Sequence, residues 1–69
     1  MRKGVIRWFD LIKRHGSLFD IANMKEVLLP EKAFNQLGVE MLPKNQKVLF
    51  ETEEQNGVTI VSKCVLVED

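Results

Sequence analysis

Arg7 and Trp8 stand side by side within the stretch Lys3 to Phe9, and no other pair in the chain is better suited to holding a ligand. An indole offers a flat surface on which an unstacked base can lie, and a guanidinium beside it meets phosphate; together they are the minimal hardware for single-stranded nucleic acid. A few residues on, Lys13, Arg14 and His15 add two more cations and a second ring that can stack. No grouping points to a reaction. His15 has no Ser, Cys or carboxylate at a spacing that makes a nucleophile and its base. Cys64 falls on a strand with no neighbouring base and reads as a small core residue. With one His and one Cys the chain has neither a metal-ligand set nor an intramolecular disulfide. Glu51, Glu53 and Glu54 read as charges that keep a strand edge soluble. The expectation is a protein that is not an enzyme and uses no cofactor and no metal.

Composition narrows the partners. Sixty-nine residues make one domain, expected to span 1–69, and at this size only about 60% of the unfolded surface leaves water on folding. An apolar content of 45% with 29% charged residues is that of an ordinary folded chain. No apolar run reaches the length of about 18 residues that spans a bilayer, and Arg2, Lys3, Arg7 and Asp10 interrupt any leader-like stretch at the start. A cytoplasmic location without membrane contact is therefore expected. The formal net charge is zero, which argues against a strongly attracting surface, but it hides an asymmetry. Through Arg14 the chain carries Arg2, Lys3, Arg7, Lys13 and Arg14 against Asp10 alone, a local charge of +4. The acids fall in the rest of the chain, so a basic patch on an acidic body is predicted.

The elements that must position these residues are short. Lys3–Phe9 reads as a first strand, with Ile6 turned to the core, and a bulge in it would decide whether Phe9 joins Trp8 outside or the core. Leu11 to Arg14 reads as a turn and His15 to Asp20 as a second strand, in which Gly16 marks a bend or a close approach to the backbone. Glu26 to Leu29 is a third strand stopped by Pro30. Glu31 to Leu37 allows one helical turn ended by Gly38. Gln46 to Glu53 alternates as a fourth strand, with Val48 and Phe50 on one face, and Asn56-Gly57 is a strong hairpin signal leading into a fifth from Val58 to Val67. Met24, Met41 and Phe34 are expected to fill gaps under the loops. These elements predict an all-β fold, a small five-stranded antiparallel barrel with one short helical turn after the third strand. A two-layer β fold with a short real helix from Pro30 to Leu37, differing mainly in how the first strand pairs, is the competing arrangement.

The words Gly4-Val5-Ile6-Arg7-Trp8-Phe9-Asp10 resemble the first strand of the bacterial cold-shock domain family, Gly-x-Val-Lys-Trp-Phe-Asn. Lys13 and Gly16 fall where that family has the Lys and second Gly of Lys-Gly-Phe-Gly-Phe-Ile, with Leu18 for the final Ile. Lys25-Glu26-Val27-Leu28-Leu29 looks like Lys-Asp-Val-Phe-Val, and Gln46-Lys47-Val48-Leu49-Phe50 is similar to Gly-Gln-x-Val-x-Phe; Cys64 takes a buried Val position. The likeness runs through nearly the whole chain and implies an oligonucleotide/oligosaccharide-binding (OB) fold. At the binding face the two part. Arg14, His15 and Ser17 replace a Gly and two Phe of the second-strand motif. Leu28, Leu29, Pro30 and Glu31 stand for Phe-Val-His-Phe, and Val39 for a loop aromatic.

The resemblance therefore implies a cold-shock-like domain that binds single-stranded RNA or DNA through Arg7, Trp8, Lys13, Arg14 and His15. With each base–aromatic contact worth about 1–3 kcal/mol, the missing rings make that binding weak, and with few base-edge donors its sequence preference is low. The alternative expectation is a protein-interaction or self-association module, its apolar patch made by Leu28, Leu49 and Val39.

Overall fold

In the computed structural model, residues 1–68 are described and form a closed barrel of five strands with one short helix. The strands are β1 (Arg2–Asp10), β2 (His15–Asp20), β3 (Lys25–Leu29), β4 (Lys47–Gln55) and β5 (Val58–Leu66). Helix α1 (Glu31–Asn35) follows β3. The order around the barrel is β1-β2-β3-β5-β4, with β4 returning to β1, which is the topology of the OB fold. Every pairing is antiparallel except the closure of β3 on β5, which is parallel and rests on the single pair Leu28 with Ile60. Among the described residues no helix is long and apolar enough to cross a membrane.

The core is what the alternation demands. Ile6, Leu18, Val27, Leu29, Val48, Phe50, Val61 and Cys64 send one face of each strand inward, and Phe34 with Ala33 caps the barrel from α1. Phe34 is fully buried and belongs to this core, unlike the other two residues expected under the loops: Met24 and Met41 are both exposed. Each is carried by a turn or loop that runs outside the barrel, with Met24 at positive φ in the β2–β3 turn. Cys64 lies in the core, and burial pushes its thiol up to about 11. Pro30 precedes α1, which runs only to Asn35 because Gln36 and Leu37 already turn towards Gly38 at φ 70°. The Asn56-Gly57 hairpin has both residues at positive φ, the geometry that lets a two-residue turn follow the twist of β4 and β5.

Two local features set the geometry of β1 against β2. The register steps from Ile6 opposite Leu18 to Trp8 opposite Ser17, so Arg7 is the extra residue of a β-bulge. Strict alternation from Ile6 would turn Trp8 inward. The added residue instead leaves Arg7 and Trp8 both exposed and returns Phe9 to the core side, where its ring lies 4.4 Å from that of Phe34. Gly16, opposite Phe9, sits where β1 comes closest: a Cβ there would lie 2.4 Å from the Trp8 carbonyl oxygen and 3.0 Å from the Phe9 Cα. Its role is this close approach of the protein's own backbone. Gly16→Ala should therefore cost at least the about 1–3 kcal/mol of an overpacked core, because a backbone carbonyl has no alternative rotamer. Urea unfolding checks this, and a midpoint unchanged by the substitution would refute it.

Candidate nucleic-acid interface

The outer face of β1, β2 and β3 is laid out by their register. Trp8, Ser17 and Leu28 form one row across the three strands, Val5, Phe19 and Glu26 the next, and Asp10 with His15 closes the end. Small Ser17 between two large neighbours leaves the indole of Trp8 open on that side; Trp8 is 46% exposed. The His15 ring meets it edge-on at 5.7 Å with the planes at 75°, a favourable T-shaped contact that fixes the tilt of both rings. Arg7, pushed outward by the bulge, lays its guanidinium over the Phe19 ring at 5.1 Å. The result is a row of Phe19, Arg7, Trp8 and His15 in which three rings and a cation lie along one strand pair. Glu26 marks its acidic border: its carboxylate accepts a hydrogen bond from the Ser17 hydroxyl.

Phe19 was not among the residues singled out from sequence. Its signal was present: it shares a face with His15 and Ser17 at period two along β2. Phe19 thus adds a ring two residues beyond Ser17 on the same strand.

The structure brings Arg7, Trp8 and His15 together, and Lys13 is exposed on the adjoining turn. Arg14 has another task. Its guanidinium packs over Phe34 at 4.9 Å, donates from Nη2 to Asn35 Oδ1 at 3.0 Å, and lies 3.8 Å from Glu31 Oε2. It joins the β1–β2 turn to α1, and Glu31 offsets its charge, so it is removed from the basic face. The expected apolar patch is not assembled either. Leu28 is exposed on β3, whereas Leu49 lies on β4 opposite Lys3 and Val65, with β5 between the two strands. Leu49 instead lines a groove of about 390 Å³ with Val5, Ile21 and Val67. Val39 is half-buried against the core. The β1–β2 turn supplies exposed apolar residues that sequence reasoning passed over, Leu11 and the almost fully exposed Ile12.

Asp10 holds that turn. Its Oδ1 accepts from the backbone N–H of both Ile12 and Lys13 at 3.0 Å, and its carbonyl accepts from Arg14 N–H at 2.7 Å, which lets Arg14 take φ 60° and the chain reverse into His15. The Lys13 N–H holds the Asp10 carboxyl below its usual 3.8; desolvation opposes this, and the Ile12 N–H and the charges of His15 and Lys13 reinforce it.

Compared with known proteins, the chain matches no family model and no curated protein.

Because the folded pKa of Asp10 is lowered, its contribution to stability is complete above about pH 4 and is lost as pH falls below 3.8 through the folded value. Asp10→Asn keeps the Oδ1 acceptor but removes this titration, so stability measured from pH 5 down to pH 2 should fall less steeply in the variant than in the wild type. Asp10→Ala should lower stability at neutral pH as well. Identical acid limbs for wild type and Asp10→Asn would contradict the assignment.

Proposed function

We propose that this protein is a cold-shock-like domain that binds single-stranded RNA or DNA on the outer face of β1, β2 and β3, weakly and with little sequence preference. The observation that carries the reading is the row Phe19, Arg7, Trp8 and His15, in which the bulge at Arg7 turns a cation and an indole to the same side of a strand. Bases stack on Trp8, with Leu28 beyond Ser17 as apolar support, while the Phe19 ring holds Arg7 beside them. Arg7 and Lys13 meet phosphate. Stacking tolerates any base, and the face presents few side chains able to read a base edge, so contacts fix register more than sequence. The acidic neighbours Glu26 and Glu31 limit affinity by repelling the backbone of the ligand.

A second reading, a protein-binding face, is favoured by the exposure of Leu11 and Ile12 on the β1–β2 turn and of Leu28 on β3. Ionic strength separates the two. With about two phosphates neutralised, log affinity for a labelled single-stranded oligonucleotide should fall against log salt with a slope of about −1.4. Trp8→Ala should weaken binding about 5- to 150-fold, the equivalent of about 1–3 kcal/mol for a lost stacking contact. Lys13→Ala should flatten the salt slope, while Arg14→Ala should lower thermal stability and leave the slope in place. Fluorescence anisotropy reads the affinities and slopes, and thermal unfolding reads the stability of Arg14→Ala; equal affinity for Trp8→Ala and wild type would refute the proposal.

A further inference from the structure

The groove of about 390 Å³ that holds Leu49 lies where β1 runs beside β4, and it has the size of a small-ligand site, about 300–1,000 Å³. Val5 on β1 and Leu49 on β4 are half-buried in it. Ile21, 48% exposed just past β2, stands on the β1 side through its N–H bond to the Lys3 carbonyl; Val67, just past β5, stands on the β4 side through its N–H bond to the Lys47 carbonyl. The register adds two lysines. Lys3 is opposite Leu49 and Lys47 opposite Val5, so the two cations sit diagonally across the strand pair with aliphatic residues at the other corners. Both are at exposed positions. Among the described residues neither a carboxylate nor an aromatic ring lines the groove, so a chain of zero formal net charge presents here an aliphatic recess with two positive charges and no negative one.

These features select the occupant. A nucleic-acid base finds no ring to stack on. A peptide finds no strand edge to join: Gly4 and Val5 pair with β2 on one side and β4 on the other, and Val48 and Leu49 pair with both β1 and β5. Its amides would lose water against methyl groups without gaining hydrogen bonds. A second copy meeting groove to groove would set lysine against lysine. An alkyl chain has no amide to satisfy, and a carboxylate at its end accepts a charge-assisted hydrogen bond from an ammonium. We propose that this groove binds a free medium-chain aliphatic carboxylate, the chain lying on Val5, Ile21, Leu49 and Val67 and the head group held by Lys3 within the positive field that Lys47 reinforces. Neither Arg7 nor Trp8 lines the groove, so the inference does not depend on what the outer face of β1, β2 and β3 binds.

Two-dimensional methyl NMR of the full chain tests it, with sodium decanoate kept below its micellar range, sodium hexanoate, decyltrimethylammonium chloride, and sodium chloride at matched ionic strength as reference. The expected result is saturable shifting of the methyl groups of Val5, Ile21, Leu49 and Val67 by decanoate, with the Trp8 indole N–H unmoved. Each methylene that enters the groove should tighten binding by up to about fourfold, so hexanoate should bind more than about tenfold more weakly than decanoate. Lys3→Glu should weaken decanoate about tenfold by reversing the charge that meets the head group, and Ile21→Asp should do the same from the opposite wall. Both positions are exposed, so the variants should fold, and an unchanged amide spectrum away from the groove checks that they do. Shifts that stay linear, that sodium chloride reproduces or that centre on Leu11, Ile12 and Leu28 overturn the proposal. So does equal affinity for decyltrimethylammonium, or wild-type affinity in the Lys3→Glu protein.

Discussion

The β-bulge at Arg7 is the constraint on which the rest of the molecule depends. One extra residue in β1 shifts every later side chain of that strand to the opposite face. Without it, Ile6 and Trp8 would point the same way, and the barrel would have to bury an indole while exposing Phe9. With it, Ile6 and Phe9 serve the core, Arg7 and Trp8 serve the surface, and Phe9 reaches Phe34 to bind α1 over the end of the barrel. Gly16 is the complement of the bulge on the facing strand, since only a residue without Cβ lets β1 and β2 approach so closely at this point. Fold and candidate face therefore share one cause.

From that cause the division of labour among the cations follows. Arg7 is carried outward and rests over Phe19, keeping a charge beside two π-surfaces. Lys13 stays on the turn that Asp10 organises. Arg14, at positive φ where the turn ends, is swung back to Phe34, Asn35 and Glu31. Three basic residues close in sequence thus have three different surroundings. The +4 charge of the N-terminal third overstates the basicity of any one face, because Arg2 is likewise engaged at the opposite end of the barrel with Asp20 and Thr52.

Much of the fold was legible from residue pattern. The β2 bounds, the Asn56-Gly57 hairpin and the inward pair Val48 and Phe50 follow from period-two alternation and turn chemistry, which act locally. What was not legible depended on long-range register. The position of Phe9 turns on the bulge, and the bulge is a property of how β1 meets β2, through the pairs Ile6 with Leu18 and Trp8 with Ser17. The parallel closure of β3 on β5 follows from barrel geometry, not from either strand alone. The engagement of Arg14 with α1 brings together residues 21 apart. Phe19 was hidden for a different reason: attention fell on His15 and Ser17, whereas the strand's own alternation places Phe19 on their face.

Trp8 lies open on the outer face of β1 and β2, where the proposed bases would stack. Trp8 is the only Trp in the chain, so its fluorescence reports that face alone. Titration with a short single-stranded oligonucleotide at low salt should quench the emission saturably, and added salt should reverse the quenching. Emission that stays constant at low salt with oligonucleotide in large excess would contradict the account, leaving an OB barrel whose outer face serves some other partner.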